Sequence, residues 1–167
     1  MGREIPFAPV FVKQGSFIPQ IQYSEKTKGN TTAFQKGENI LTYFPSSELT
    51  KFEWYNDDGN SKAALQSGNY TLIRCSGQEK PGKISIVLDA SNKRYLKNEL
   101  VLSVVSLKTQ PKMVYVNGKS MNMAEVGPFE LSEKEKKNTA HWRNEEKQLQ
   151  LHIEFGSVKK LNIEIIK

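Results

Sequence analysis

Cysteine and histidine are nearly absent from this sequence, which has one cysteine and two histidines among 167 residues. A single cysteine excludes an internal disulfide. Cys75 lies in a strand-like run, where a free cysteine is usually a small buried hydrophobic residue. A nucleophilic thiol would need a neighbouring base, and only His141 and His152 are present. We therefore interpret Cys75 as a core residue.

Long apolar runs are also missing. No run approaches the roughly eighteen residues of a membrane-spanning helix, so the sequence predicts no membrane partner. The N-terminus, Met1–Glu4, lacks the apolar core of a signal peptide and leads almost at once into a strand-like segment. We therefore expect a chain cut from a longer protein, and the sequence leaves its compartment open.

The net charge of +6 raises the question of a nucleic-acid partner. Residues 1–77 carry eight basic and seven acidic side chains, whereas residues 78–167 carry sixteen and eleven. Even in the second range lysine is mixed with glutamate, as in Glu133–Lys137, and the whole chain has four arginines. Nucleic-acid surfaces concentrate lysine and arginine on one face. The sequence therefore predicts a solvated surface and no nucleic-acid partner.

Strand signals dominate the chain. Short runs with apolar residues at strand spacing occur at 9–13, 16–19, 39–44, 51–55, 70–74, 83–88, 99–105, 112–116, 140–143, 148–155 and 160–165. Asn117-Gly118 is the favoured two-residue hairpin turn, because both central positions need positive φ. Only Leu131–Asn138 looks helical, and it is short and highly charged. This pattern predicts an all-β fold, an antiparallel β-sandwich, with two small sandwiches in tandem.

Ser76–Gly82 is the best candidate for a linker, because glycine, proline and charged residues cluster there. We therefore predict two domains, residues 1–77 and residues 78–167.

Patterns for catalysis or metal binding are scarce. The two histidines lie eleven residues apart without a spaced partner, and no phosphate loop or nucleophile elbow occurs, so no metal site or cofactor is expected. Asp57-Asp58-Gly59 is the most chemical-looking cluster, since paired carboxylates bind calcium or act as acid and base in glycosidases. Calcium needs further ligands at fixed spacing and none follow, whereas aspartates before glycine are ordinary turn formers. A turn is the favoured interpretation.

Aromatic side chains offer a possible platform for sugar stacking. Aromatic residues that could form such a platform are Trp54, Tyr55, Tyr43, Phe44 and Tyr70, and the candidates for sugar contact are Trp54, Tyr55 and Trp142. Phe52 and Trp54 share one side of their predicted strand and Tyr55 lies on the other, so at least one set must belong to the core. Core packing is the favoured interpretation, and a carbohydrate partner remains the alternative.

Several segments together resemble a known family. Pro9–Pro19, with the sequence PVFVKQGSFIP, is similar to the P-V-F-V-x-x-G-S-x-I-P segment that follows the catalytic barrel in glycoside hydrolase family 31. Trp54–Gly59, followed by Gly68–Thr71, is similar to that family's L-Y-E-D-D-G … G-E-Y hairpin. Val114–Gly118 resembles the V-x-V-N-G turn of its last domain. Order and spacing agree across nearly the whole chain.

The resemblance implies the C-terminal region of an α-glucosidase or α-xylosidase, made of a proximal and then a distal β-domain. Gln14, Phe17 and Asn56 depart from the usual residues, which bears on the subfamily rather than the family. The strand that usually precedes the first motif is absent, so an incomplete proximal domain is expected. The family's catalytic aspartates lie on the barrel, so no catalytic residue is carried over, and Asp57 and Asp58 match a hairpin position.

The main hypothesis is therefore a non-catalytic accessory region, whose partner is the catalytic barrel of a retaining α-glycosidase. Residues Val10–Val12, Phe17 and Ile18 would form the strands nearest the barrel. The alternative is a carbohydrate-binding module that stacks sugars on the candidate aromatic residues. A small free-standing enzyme would require Asp57 and Asp58 to converge with a histidine in a pocket.

Overall fold

The computed structural model describes residues 11–22, 38–57, 62–94, 99–125 and 138–167. The strands and the one helix within these ranges are β1 (Phe17–Gln22), β2 (Glu38–Tyr43), β3 (Thr50–Asp57), α1 (Ala64–Ser67), β4 (Tyr70–Lys80), β5 (Lys83–Lys93), β6 (Glu99–Val104), β7 (Met113–Val116), β8 (Lys119–Ser120), β9 (Asn122–Glu125), β10 (Thr139–Arg143), β11 (Gln148–Glu154) and β12 (Lys160–Ile166).

These strands form two six-stranded sheets. Sheet A has the order β1-β2-β6-β11-β10-β9, and sheet B has the order β3-β4-β5-β12-β7-β8. Neighbouring strands are antiparallel except for β2–β6 and β9–β10, which are parallel. The parallel β2–β6 pair is possible because the chain passes through sheet B between these strands, which supplies the long crossover that parallel pairing needs. The predicted all-β sandwich is confirmed.

A hydrophobic core lies between the two sheets. Alternate residues of each strand point inward, as Ile84, Ile86 and Leu88 do on β5. The largest fully buried side chains come from both sheets and are Trp142, Tyr43, Phe155, Leu41, Ile73, Ile84, Ile86, Leu88, Leu100, Leu102, Leu149 and Leu151. They belong to one contiguous cluster. Since burying one such aliphatic or aromatic side chain stabilises the fold by about 1.5–3 kcal/mol, this cluster is the main source of stability.

The segment 76–82 is a hairpin and not a linker. β4 runs through to Lys80, and Lys80 pairs directly with Lys83 of β5 across the turn of Pro81 and Gly82. The predicted linker is therefore wrong. Its composition was ambiguous, because proline, glycine and charged residues mark a hairpin turn as well as they mark an exposed connection.

Strands from residues 1–77 and from residues 78–167 occur in both sheets. β2 pairs with β6 in sheet A, and β4 pairs with β5 in sheet B. Where the sequence predicted two small sandwiches in tandem, the described strands share one core. The assignment of the two ranges to a proximal and a distal domain stays a prediction.

The predicted Asn117-Gly118 turn is confirmed. It joins β7 to β8, with Val116 opposite Lys119, and both turn residues have positive φ, 50° and 77°. The Asn117 side chain also ties the turn to β12, because its Oδ1 accepts a hydrogen bond from the backbone N–H of Asn162 at 2.8 Å.

Helix is scarce in the described ranges. The single turn α1 was not predicted; it buries Ala64 and ends at Gly68, whose φ is 70°. The helical-looking segment 131–138 lies outside the described residues except for Asn138. No helix in the described ranges has the length and apolar character needed to span a bilayer.

Tyr43 of sheet A packs directly against Gly77 of sheet B. Its ring is fully buried and stacks on Phe17, with the ring centroids 4.3 Å apart. A Cβ atom at Gly77 would lie 2.5 Å from Cζ of Tyr43, so only glycine leaves room for this ring between β2 and β4. Burial also raises the pKa of the Tyr43 hydroxyl, which keeps it neutral.

Replacing Gly77 by alanine is expected to destabilise the fold. The added methyl group overlaps the Tyr43 ring, so the free energy of unfolding should fall by about 1–3 kcal/mol. Urea unfolding followed by tryptophan fluorescence measures this. Ser76→Ala, one residue earlier on the opposite face of β4, is the matched control and should change stability much less. Equal stability of the two variants would contradict the packing described.

Candidate functional site

The three aromatic residues considered for sugar contact lie in different environments. Trp54 is 7% exposed and Trp142 is 1% exposed, because both point into the core between the sheets. As they lie, neither indole has a face open to a sugar. Tyr55 is 43% exposed and points outward from sheet B. The alternation expected along this strand is therefore confirmed, with Trp54 inward and Tyr55 outward.

Tyr55 is held by two neighbours on the outer face of sheet B. Its ring stacks on Tyr70 with centroids 5.6 Å apart and an angle of 24° between the planes. Its hydroxyl donates a hydrogen bond of 3.0 Å to Oδ2 of Asp57. The β3–β4 register places Asp57 opposite Tyr70 and Tyr55 opposite Leu72, so the two tyrosines are diagonal neighbours. The sequence alone did not reveal this pairing, because the hairpin register sets it.

Charged side chains lie next to these tyrosines on the same face. Arg74 donates from Nε to Oε1 of Glu53 at 2.9 Å, and Glu53 is two residues before Tyr55 on β3. Both side chains of this ion pair are more than half exposed, so it contributes little to stability. Opposite Tyr55, Leu72 is half-buried. We name this surface the tyrosine patch and define it as Glu53, Tyr55, Asp57, Tyr70, Leu72 and Arg74.

The aspartates and histidines do not come together in the described part of the chain. Asp57 points outward from sheet B, whereas His141 and His152 lie on the outer face of sheet A, with the core between them. Asp58 and the turn expected at Gly59 lie outside the described residues. A catalytic arrangement of Asp57 with a histidine is therefore not formed there.

The two histidines are neighbours on sheet A. The β10–β11 pairing makes them diagonal partners, with ring centroids 5.5 Å apart in an edge-to-face arrangement. His141 is buried and its Nε2 lies 2.6 Å from Oγ1 of Thr139, which agrees with a packing role. His152 is half-buried on the polar side of β11. Within the described ranges no group of three or more potential ligand residues is placed to hold a metal ion.

Cys75 is a core residue, as predicted. Its side chain is buried on the inner face of β4, and its thiol lies 3.8 Å from the carbonyl oxygen of Ile73. Burial raises the pKa of this thiol to about 12, because the thiolate would lose its hydration. The reactive thiolate is therefore suppressed at neutral pH.

Three solved enzymes each contain a segment that is similar in fold to this chain. A GH31 dextranase from Flavobacterium johnsoniae matches with a TM-score of 0.71 and 24% identity, over 95% of this chain and 20% of its own. The α-1,4-glucan lyase of Gracilariopsis lemaneiformis matches with a TM-score of 0.70 and 17% identity, over 95% and 16%. A cycloalternan-forming enzyme from Listeria monocytogenes matches with a TM-score of 0.65 and 17% identity, over 92% and 13%.

These matches show a shared fold. Nearly all of this chain has the architecture of one segment of each enzyme, and it spans a fifth or less of their length. No protein-family model matches the sequence, and no curated protein matches it significantly.

The raised pKa of Cys75 predicts slow labelling by thiol reagents in the native state. Because the folded-state pKa is about 12, the thiol stays protonated at pH 8, and labelling requires transient opening. The native labelling rate should therefore be the rate for the unfolded chain reduced by the small fraction of molecules that are open. Reaction with Ellman's reagent, with and without 6 M guanidinium, measures this as absorbance at 412 nm. Complete native labelling as fast as that of the unfolded chain would contradict the burial described.

Proposed function

We propose that this chain is a non-catalytic accessory region of a GH31 α-glycosidase, in which it supports the catalytic barrel. The observation that carries the proposal is the fold match, which covers 95% of this chain but only a fifth of a GH31 dextranase. An accessory region is expected to recur almost in full within enzymes that are several times longer, as this chain does.

The family-like sequence segments lie where the fold needs their special residues. Gly15, in the first segment, has a φ of 87° and donates its N–H to the carbonyl of Phe44 at 2.7 Å, and a side chain there would run into Thr50. The second segment forms paired ends of β3 and β4, with Asp57 opposite Tyr70. The third forms the Asn117-Gly118 turn. This agreement supports the family assignment independently of overall shape.

One end of the sandwich carries exposed apolar side chains suited to a partner. Phe11 is 91% exposed, and Val12 and Leu49 are also exposed. They flank the turn at Gly15, which packs on Thr50 at the start of β3. We name these three residues the edge surface. Exposed apolar residues grouped in this way are typical of an interaction site.

The strands beside the edge surface are also outer strands. β1 ends sheet A and β3 ends sheet B, and neither pairs with a further strand within the described ranges. Edge strands of this kind are usually covered. In the proposed enzyme the edge surface, β1 and the start of β3 at Thr50 face the rest of the parent chain.

Of the residues that were expected to face the barrel, which are Val10–Val12, Phe17 and Ile18, the structure buries some and exposes others. Phe17 is buried and stacks on Tyr43, so it belongs to the core and not to the edge surface. Residues 11–16 are not in a strand, and β1 begins only at Phe17. Val10 lies outside the described residues. Phe11 and Val12 are the members of the expected set that solvent reaches most.

We further propose that the parent enzyme cleaves α-glucosidic bonds with retention, using two barrel carboxylates. Support for a glucan substrate comes from the dextranase, which was solved with isomaltotriose, and from the α-1,4-glucan lyase. Sugar binding by the accessory region itself is a second candidate function, which the exposure of Tyr55 favours.

Substituting Phe11 in the full reading frame that contains this chain tests the docking role. Phe11→Asp removes apolar burial worth about 1.5–3 kcal/mol at the proposed interface. The midpoint of thermal inactivation of the intact enzyme should fall by about 3 °C or more, while kcat at low temperature is kept. Activity after heating measures this.

Leu65→Asp is the matched control, because Leu65 is also an exposed apolar residue but lies on α1, away from the edge surface. It should leave the midpoint nearly unchanged. If the midpoint of thermal inactivation is the same in both variants as in the unaltered enzyme, the docking role of Phe11 is overturned.

A further inference from the structure

The tyrosine patch has no part in the docking surface. It lies near the end of β3, whereas the edge surface adjoins the start of that strand at Thr50. Tyr55 is five residues beyond Thr50, which corresponds to about 17 Å along an extended strand. A partner that binds the edge surface therefore leaves the tyrosine patch accessible. Docking does not explain why the Tyr55 ring of the patch is exposed.

We propose that the tyrosine patch is a binding site for a pyranose unit of a polysaccharide. A pyranose ring presents an apolar face of C–H groups and a rim of hydroxyl groups. The exposed Tyr55 ring offers a flat apolar surface for that face, next to the half-buried Leu72. A site with an aromatic centre and a few fixed polar groups is the usual form for such ligands.

The polar groups of the patch match the hydroxyl rim. The carboxylates of Asp57 and Glu53 lie on either side of Tyr55 along β3 and accept hydrogen bonds from hydroxyl groups. Arg74, opposite Glu53, supplies donors. Hydrogen bonds with one charged partner are stronger than neutral ones. The patch therefore combines acceptors and donors around one apolar surface.

The stack on Tyr70 and the hydrogen bond to Asp57 prepare Tyr55 for binding. They hold the ring in one orientation, 5.6 Å from Tyr70 and 3.0 Å from the carboxylate oxygen. A ring that is already fixed loses little conformational freedom when a ligand settles on it, which favours binding. Tyr70 is therefore a positioning residue, and Tyr55 is the residue that contacts the sugar.

The open shape of the patch favours a polymer over a small free sugar. It lies on the outer face of sheet B, on the edge strand β3 and its neighbour β4, so it contacts one side of a sugar ring. We therefore expect a weak affinity for a short oligosaccharide, with a dissociation constant on the order of 1 mM. A polysaccharide that is held near an enzyme in this way has a raised effective concentration as its substrate. The choice of an α-glucan rests on the proposed function, whereas the stacking itself does not.

Titration of the isolated chain with oligosaccharides tests the site. The probes are maltoheptaose and isomaltotriose as α-glucans and cellohexaose as a β-glucan, followed by two-dimensional amide NMR. With an α-glucan we expect chemical-shift changes at the amides of β3 and β4 residues around Tyr55. The dissociation constant of the Tyr55→Ala variant should be at least ten times larger than that of the unaltered chain. Tyr55→Leu, which keeps apolar bulk without the ring, is used as well if the alanine variant does not fold.

Tyr115→Ala is the matched control, because Tyr115 is another tyrosine on the outer face of sheet B, half-buried, with its hydroxyl at Sδ of Met113. It should change the dissociation constant less than twofold. If only cellohexaose binds, and this binding is lost in Tyr55→Ala, the result supports the site but overturns the choice of an α-glucan as its ligand. No shift at the patch with any probe up to about 10 mM, or equal loss in both tyrosine variants, overturns the site.

Discussion

The fold depends on the long β4–β5 hairpin at the centre of sheet B. Its two eleven-residue strands pair from Lys80 and Lys83 outward, and their inner faces supply much of the shared core. β3 adds to one side of this hairpin and β12 to the other. Sheet A then closes over it, with Tyr43 seated against Gly77. Because interiors are close-packed, this contact limits how near the two sheets can lie at that point.

Much of the local structure could be predicted from the sequence. Alternation of apolar and polar residues placed the strands, since side chains point to opposite faces at every second residue. Asn117-Gly118 identified a hairpin because few residue pairs adopt positive φ twice in succession. The burial of Cys75 could also be predicted, because a free cysteine in a strand-like run is usually a core residue.

The pairing of strands that are distant in sequence is harder to predict from the sequence. The linker expected at 76–82 is a hairpin turn, because composition does not distinguish a two-residue turn from a connection between domains. The parallel β2–β6 pair joins strands that are far apart in sequence, which local patterns do not encode. The Tyr55–Tyr70 stack likewise depends on the register between β3 and β4. The sequence therefore identifies Tyr55 as a candidate for sugar contact but does not separate it from Trp54 and Trp142, which belong to the core.

We propose that this region supports catalysis by a larger enzyme and does not perform it. Asp57 and the histidines lie on opposite outer faces of the sandwich, and the edge surface and the tyrosine patch offer contacts rather than chemistry. The most direct measurement is release of p-nitrophenol from p-nitrophenyl α-glucoside, by the isolated chain and by the product of the full reading frame that contains it. We expect no release by the isolated chain and steady turnover by the longer protein; turnover by the isolated chain would contradict the claim.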